Sequence, residues 1–127
     1  CGLTRKPVFM PMICDFPQGM VVTVPLYLDM LGGSQSLDSL RTLYREFYAG
    51  ARFVTVRPDD APACGFIGSN NLAGTNELQI FVCGNDEQVM LAARLDNLGK
   101  GASGAAVQNM NIMLGFPEET GLDVQSR

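Results

Sequence analysis

Six residues, Gly99-Lys100-Gly101-Ala102-Ser103-Gly104, have the glycine spacing of a dinucleotide-binding loop, and they stand between a strand-like and a helix-like run. In that chemistry the glycines let a pyrophosphate approach the backbone at a helix N-terminus. The match fails on what must follow, a second parallel strand ending in an acidic residue. Beyond the helix the sequence reads Glu118-Glu119-Thr120-Gly121-Leu122-Asp123, which is no buried strand. A P-loop is excluded as well, because Lys100 is followed by glycine rather than Ser or Thr. What survives is narrower: a chain that turns sharply, a helix able to approach another backbone closely, and a first turn whose N–H groups favour a nearby negative group.

The other reactive side chains are sparse. The sequence has no histidine, so Ser-His-Asp triads, Cys-His pairs and His-ligated metal sites are excluded from it. Its four cysteines, Cys1, Cys14, Cys64 and Cys83, show no metal-ligand spacing and are too few for a stapled secreted domain. They read as reduced thiols of a cytoplasmic protein, with Cys14 and Cys83 packed in strands and Cys64 in a loop, and no metal is expected.

The elements that must position these residues follow from periodicity. Residues 19–28 form a strand rich in β-branched residues, with Pro25 marking an edge or a bulge. Residues 8–13 form a second strand interrupted by Pro11. Leu37, Leu40, Leu43, Tyr44, Phe47 and Tyr48 recur at helical spacing within 36–49, capped by Ser36 and ended by Gly50. Strands are expected at 52–57 and 65–70, a hairpin from 77–83 to 88–95 around Gly84-Asn85-Asp86-Glu87, and a final helix over 102–114 ended by Gly115 and Pro117. The order ββαββββα is an α+β layer, a mostly antiparallel sheet with helices on one face.

At 127 residues the chain suits one domain. Nine basic against thirteen acidic residues give a net charge of −4, without the basic footprint of a nucleic-acid binder. The longest uncharged stretches, 61–76 and 101–117, are broken by Gly, Asn or Pro and too short to span a membrane. Charged residues are only 17%, against about 25% in ordinary soluble domains, which suggests a face covered by another domain or subunit. From 101 to 117 no residue is charged, although Gln108, Asn109 and Asn111 offer amides; such a helix is expected to be buried on most sides.

The run Arg94-Leu95-Asp96-Asn97-Leu98-Gly99-Lys100-Gly101-Ala102, continued by Ala106-Val107-Gln108-Asn109-Met110-Asn111, resembles the C-terminal segment of the N-acetyl-gamma-glutamyl-phosphate reductases of the semialdehyde dehydrogenase superfamily. Phe9-Met10-Pro11, Gln18-Gly19-Met20 to Leu26, Leu43-Tyr44 to Gly50, and Asn70-Asn71-Leu72-Ala73-Gly74-Thr75-Asn76 are similar to the same family. The resemblance implies a glyceraldehyde-phosphate dehydrogenase-like C-terminal domain, present in part. Residues 1–96 would belong to the catalytic and dimerisation domain. Residues 97–127 would carry the helix that packs back on the protein's own N-terminal Rossmann domain.

The implied activity is a step of arginine biosynthesis, the NADP-dependent interconversion of N-acetyl-glutamyl 5-phosphate and its semialdehyde. The subunit would be homo-oligomeric, with a small-molecule substrate. In the family a Cys thiolate and a His do the chemistry. None of the four cysteines has the family's Gly-Cys-Tyr-Pro-Thr-like setting, so both groups are expected upstream of Cys1 and the chain alone is expected to be inactive. By the same resemblance Asn97 would bind the nicotinamide carboxamide of NADP, and Gln18, where many relatives have Arg, would meet the substrate. Two rival readings remain at this stage, a stand-alone interaction module and a semialdehyde dehydrogenase with another acyl phosphate.

Overall fold

A computed structural model describes residues 4–57 and 65–123. Its sheet has four strands, β1 (Met20–Tyr27), β2 (Val54–Val56), β3 (Leu78–Gly84) and β4 (Gln88–Leu95), in the spatial order β1-β4-β3-β2. Helix α1 (Leu37–Phe47) connects β1 to β2, and α2 (Gly104–Leu114) follows β4. β1 and β3 pair antiparallel with β4, while β2 runs parallel to β3. The mostly antiparallel α+β layer is therefore present.

Pro25 sits within β1 at no cost to the ladder. The Leu28 N–H donates to the Glu87 carbonyl at 3.1 Å, in register with the pairs Leu26↔Val89 and Val24↔Leu91. Alternation then turns the amides of even-numbered residues toward β4 and puts position 25 on the open edge, where a missing N–H is harmless. The edge reading of Pro25 is correct, and the residue also removes one donor from an exposed strand edge.

Helix α1 begins with a reciprocal cap. The Ser39 N–H donates to Ser36 Oγ at 3.1 Å and the Ser36 N–H donates to Ser39 Oγ at 2.9 Å, satisfying two amides that the first turn leaves open. Leu37 and Leu40 then face Ile80 and Val82 of β3, Val89 of β4 and Leu28 to form the core, with Tyr44 and Tyr48 packed at its margin. On the other face of the sheet, Phe81 and Ala92 are buried as well. The Arg94 guanidinium lies 5.3 Å from the Phe81 ring centroid and donates to the Gly68 carbonyl at 3.0 Å, which places the loop before β3 over this face.

Several expectations are corrected. Residues 8–13 form no strand, because no neighbouring strand offers them a ladder; Val8, Phe9, Met12 and Ile13 are almost fully exposed. Residues 65–70 form no strand either. Ser69-Asn70-Asn71 favours a turn, closed by the Ala73 N–H on the Asn70 carbonyl at 3.0 Å. Cys14 is exposed and lies in no strand, whereas Cys83 is half-buried on β3; Cys1 and Cys64 lie outside the described residues.

Helix α1 packs on the sheet through Leu37 and Leu40. The final helix also begins earlier than expected, with a π-turn over Gly99–Ser103 leading into α2 at the end of β4. Finally, α2 is not buried on most sides: Met113 is 84% exposed, and Ile112, Leu114 and Phe116 are more than half exposed. No helix among the described residues is long and apolar enough to cross a membrane.

Candidate functional site

The turn that leaves β4 is organised around one buried carboxylate. Asp96 is 1% exposed and has no cationic partner among the described residues. Its Oδ1 accepts the N–H groups of Leu98 at 2.7 Å and Gly99 at 3.0 Å, and its Oδ2 accepts the N–H of Gly74. Burial alone pushes a carboxyl upward; here the hydrogen bonds from Gly99, Gly74 and Leu98 outweigh it and hold Asp96 below the ordinary value. The negative group expected near the first turn of the helix is thus supplied by the chain itself, two and three residues ahead of the amides it caps. Sequence reasoning missed this role. The signal for it was an Asp immediately before a turn and a helix start.

With Asp96 fixing the turn, Asn97 reaches across to the segment before β1. The Gly19 N–H donates to Asn97 Oδ1 at 2.8 Å. An N–H donor there settles which end of the amide is the oxygen. The Asn97 Nδ2 group makes no hydrogen bond among the described residues and remains available as a donor. Gly19 is required at this crossing: its φ is +113°, and a Cβ would stand 2.5 Å from the Ser69 carbonyl oxygen.

This hydrogen bond, across 78 positions of sequence, ties Asn97 to Gly19, the residue that follows Gln18, and so brings near each other two residues that resemblance alone had placed in one site. They open on two separate grooves. Asn97 lines one of about 360 Å³ with Met12, Cys14, Phe16, Met20 and Ser69. Gln18 lines the other, about 320 Å³, with Asn76, Gly104, Val107 and Leu122.

A cation closes the back of the turn. Lys100 Nζ lies 5.3 Å from the centroid of the buried Phe53 ring and donates to Gln108 Oε1, while Gln108 Nε2 donates to Glu118 Oε1. Burial pulls the Lys100 ammonium below its ordinary value, and the Glu118 carboxylate opposes that shift. The lysine of the glycine-rich run therefore serves the chain's own packing.

A nicotinamide carboxamide fits the first groove on chemical grounds. Its carbonyl oxygen needs a donor, and Asn97 Nδ2 is one, held in place through its own oxygen. The expectation that Asn97 would offer both donor and acceptor is narrowed, because Gly19 already uses the acceptor.

Comparison with known proteins gives a consistent family. The family model described as "Semialdehyde dehydrogenase, dimerisation domain" matches residues 2–97. The chain is 48% identical to "N-acetyl-gamma-glutamyl-phosphate reductase 2" of Nostoc sp., over 95% of this chain and 39% of the relative. It is 46% identical to the N-acetyl-gamma-glutamyl-phosphate reductase of Trichormus variabilis, with the same coverage. It is 49% identical to that of Brucella ovis, over 89% of this chain and 37% of the relative. The chain thus spans less than two-fifths of the length of the curated relatives it matches.

Proposed function

Because the chain belongs to the semialdehyde dehydrogenase dimerisation-domain family, we propose that it is part of a longer cytoplasmic, NADP-dependent reductase that converts N-acetyl-glutamyl 5-phosphate to N-acetyl-glutamate 5-semialdehyde in arginine biosynthesis. The relatives' names support the reaction, and the observation that carries the site is the Gly19–Asn97 hydrogen bond. It sets a cofactor groove beside a substrate cleft at one crossing of the chain.

When bound, NADPH supplies a hydride. Asn97 Nδ2 would hold the carboxamide as a donor to its carbonyl oxygen, and Gln18 would hydrogen-bond the substrate in the neighbouring cleft. The catalytic thiolate and the acid/base come from the rest of the longer protein, since this sequence has no histidine and none of its cysteines has the family's Gly-Cys-Tyr-Pro-Thr-like setting. The uncharged, exposed face of α2 packs on the Rossmann domain, and the sheet face carrying Thr23, Pro25, Tyr27 and Met90 pairs with a second copy.

The reaction is tested on the full-length protein by NADP- and phosphate-dependent oxidation of N-acetyl-glutamate semialdehyde; absence of turnover overturns it. Asn97→Ala should raise KM for NADP(H) about tenfold, equivalent to about 1.4 kcal/mol for one lost oriented hydrogen bond, with little change in KM for the acyl substrate. An unchanged cofactor KM removes Asn97 from the site. Gln18→Ala should act the other way round, raising the acyl-substrate KM several-fold and leaving the cofactor KM in place. Equal KM values in wild type and variant would dismiss Gln18.

A further inference from the structure

Arg94 is a half-buried cation that pairs with no carboxylate among the described residues. Its guanidinium lies over the Phe81 ring, and the positive charge of Arg57 opposes its own. A cation so placed adds little to stability, because its desolvation is not offset by an ion pair. What it supplies is direction: Nη1 donates to the Gly68 carbonyl at 3.0 Å while Nη2 donates to Gln79 Oε1. The planar fork thereby ties position 68 to both β3 and β4. Asp96 ties the other end of the same loop, accepting the Gly74 N–H. Between the two ties the backbone lies against Gly19, where a Cβ would meet the Ser69 carbonyl oxygen at 2.5 Å and Asn70 Cα at 2.6 Å. Gly19 is thus caught between this loop and Asn97, whose side-chain oxygen accepts its N–H.

We propose that Arg94 is a positioning residue for the cofactor groove: by holding residues 68–74 against Gly19 it fixes the Asn97 amide and the Ser69 wall of the groove. The inference rests on the reading of the Asn97 groove as the cofactor groove. Arg94 lines neither groove and acts through the loop. Without it the Gly68 end is released, Gly19 gains room, and the hydrogen bond that orients Asn97 slackens. Asp96 still pins Gly74, so the Gln18 cleft, which Gly74, Thr75 and Asn76 line, keeps its wall. The influence of Arg94 is therefore one-sided, toward the cofactor and away from the acyl substrate.

The experiment is a fluorescence titration of the full-length protein with NADPH, with hydrogen exchange measured on the same variants. Arg94→Met should weaken NADPH binding about fivefold, the scale of a residue that acts through another, and leave the acyl-substrate KM in place. The double variant with Asn97→Ala should bind NADPH no more weakly than Asn97→Ala alone, since the arginine acts through that amide. Exchange at the Gly19 amide and over residues 68–74 should quicken in Arg94→Met. Arg94→Lys keeps the charge and one donor but not the fork; it should show about a twofold loss in the same direction, and carries the test if Arg94→Met does not fold. Losses that add in the double variant, or an equal loss toward the acyl substrate, make Arg94 a general prop and overturn the proposal. Unchanged NADPH affinity in both Arg94 variants beside a weakened Asn97→Ala overturns it too and leaves the cofactor reading standing. Quickened exchange at Gly19 with NADPH affinity unchanged in every variant, Asn97→Ala included, supports the hold on Gly19 and overturns the cofactor reading.

Discussion

Replacing Asp96 by alanine lowers the stability of the protein by about 3 kcal/mol, since it strands three N–H groups that a buried carboxylate now satisfies. Urea denaturation measures it, and a loss below about 1 kcal/mol would show that water replaces the carboxylate without penalty. The prediction has a pH signature. The folded-state value of Asp96 lies below the unfolded value of about 3.9, so its contribution is complete above that value. It drains away as pH falls further, through the folded-state value. Asp96→Asn removes that part of the acid sensitivity while keeping the side chain's shape. If wild type and Asp96→Asn lost stability in parallel below pH 4, the carboxylate would not be the anchor. A functional loss must accompany the stability loss, because Asn97 is aimed by the same turn.

Gly104→Ala is expected to cost about 2 to 3 kcal/mol, at the upper end of what a single added methyl costs in a close-packed place. A Cβ at this position would lie 1.7 Å from Asn76 Oδ1 and 2.8 Å from the Gly99 carbonyl oxygen. The Asn76 side chain can rotate away, whereas the Gly99 carbonyl can yield only by rewinding the π-turn. Adding Asn76→Ala should therefore restore part of the loss, roughly 1 kcal/mol, as a non-additive coupling between touching residues. Additive losses in a double-mutant thermal denaturation series would refute the contact. Because Gly104 and Asn76 both line the substrate cleft, Gly104→Ala should also weaken acyl-substrate binding more than cofactor binding in the full-length protein.

Local signals made much of this legible. Ser36 and the apolar spacing behind it produced α1, and Gly115 ended α2 in the left-handed conformation the sequence called for. The hairpin from β3 to β4 followed from alternation around Gly84-Asn85-Asp86-Glu87, and Pro25 announced an edge strand. These features depend on residues within a few positions of one another, and their physics is complete in a short window.

What failed depended on partners. Residues 8–13 and 65–70 have strand-like composition, yet a strand exists only when another strand completes its hydrogen bonds. The uncharged helix was expected to be buried, but burial is a property of whatever lies opposite, and nothing among the described residues lies opposite most of α2.

The sequence by itself determined the secondary elements around capped and alternating runs, the lack of an imidazole, and the family to which the chain belongs. Only the tertiary structure decided that Asp96 is an internal anchor, that Lys100 packs on Phe53, that Asn97 spends its acceptor on Gly19, and that Leu122 reaches the Gln18 cleft. Each of these is a long-range or orientational fact. A residue's type says which bonds it can make, and the fold alone says which of them are already taken.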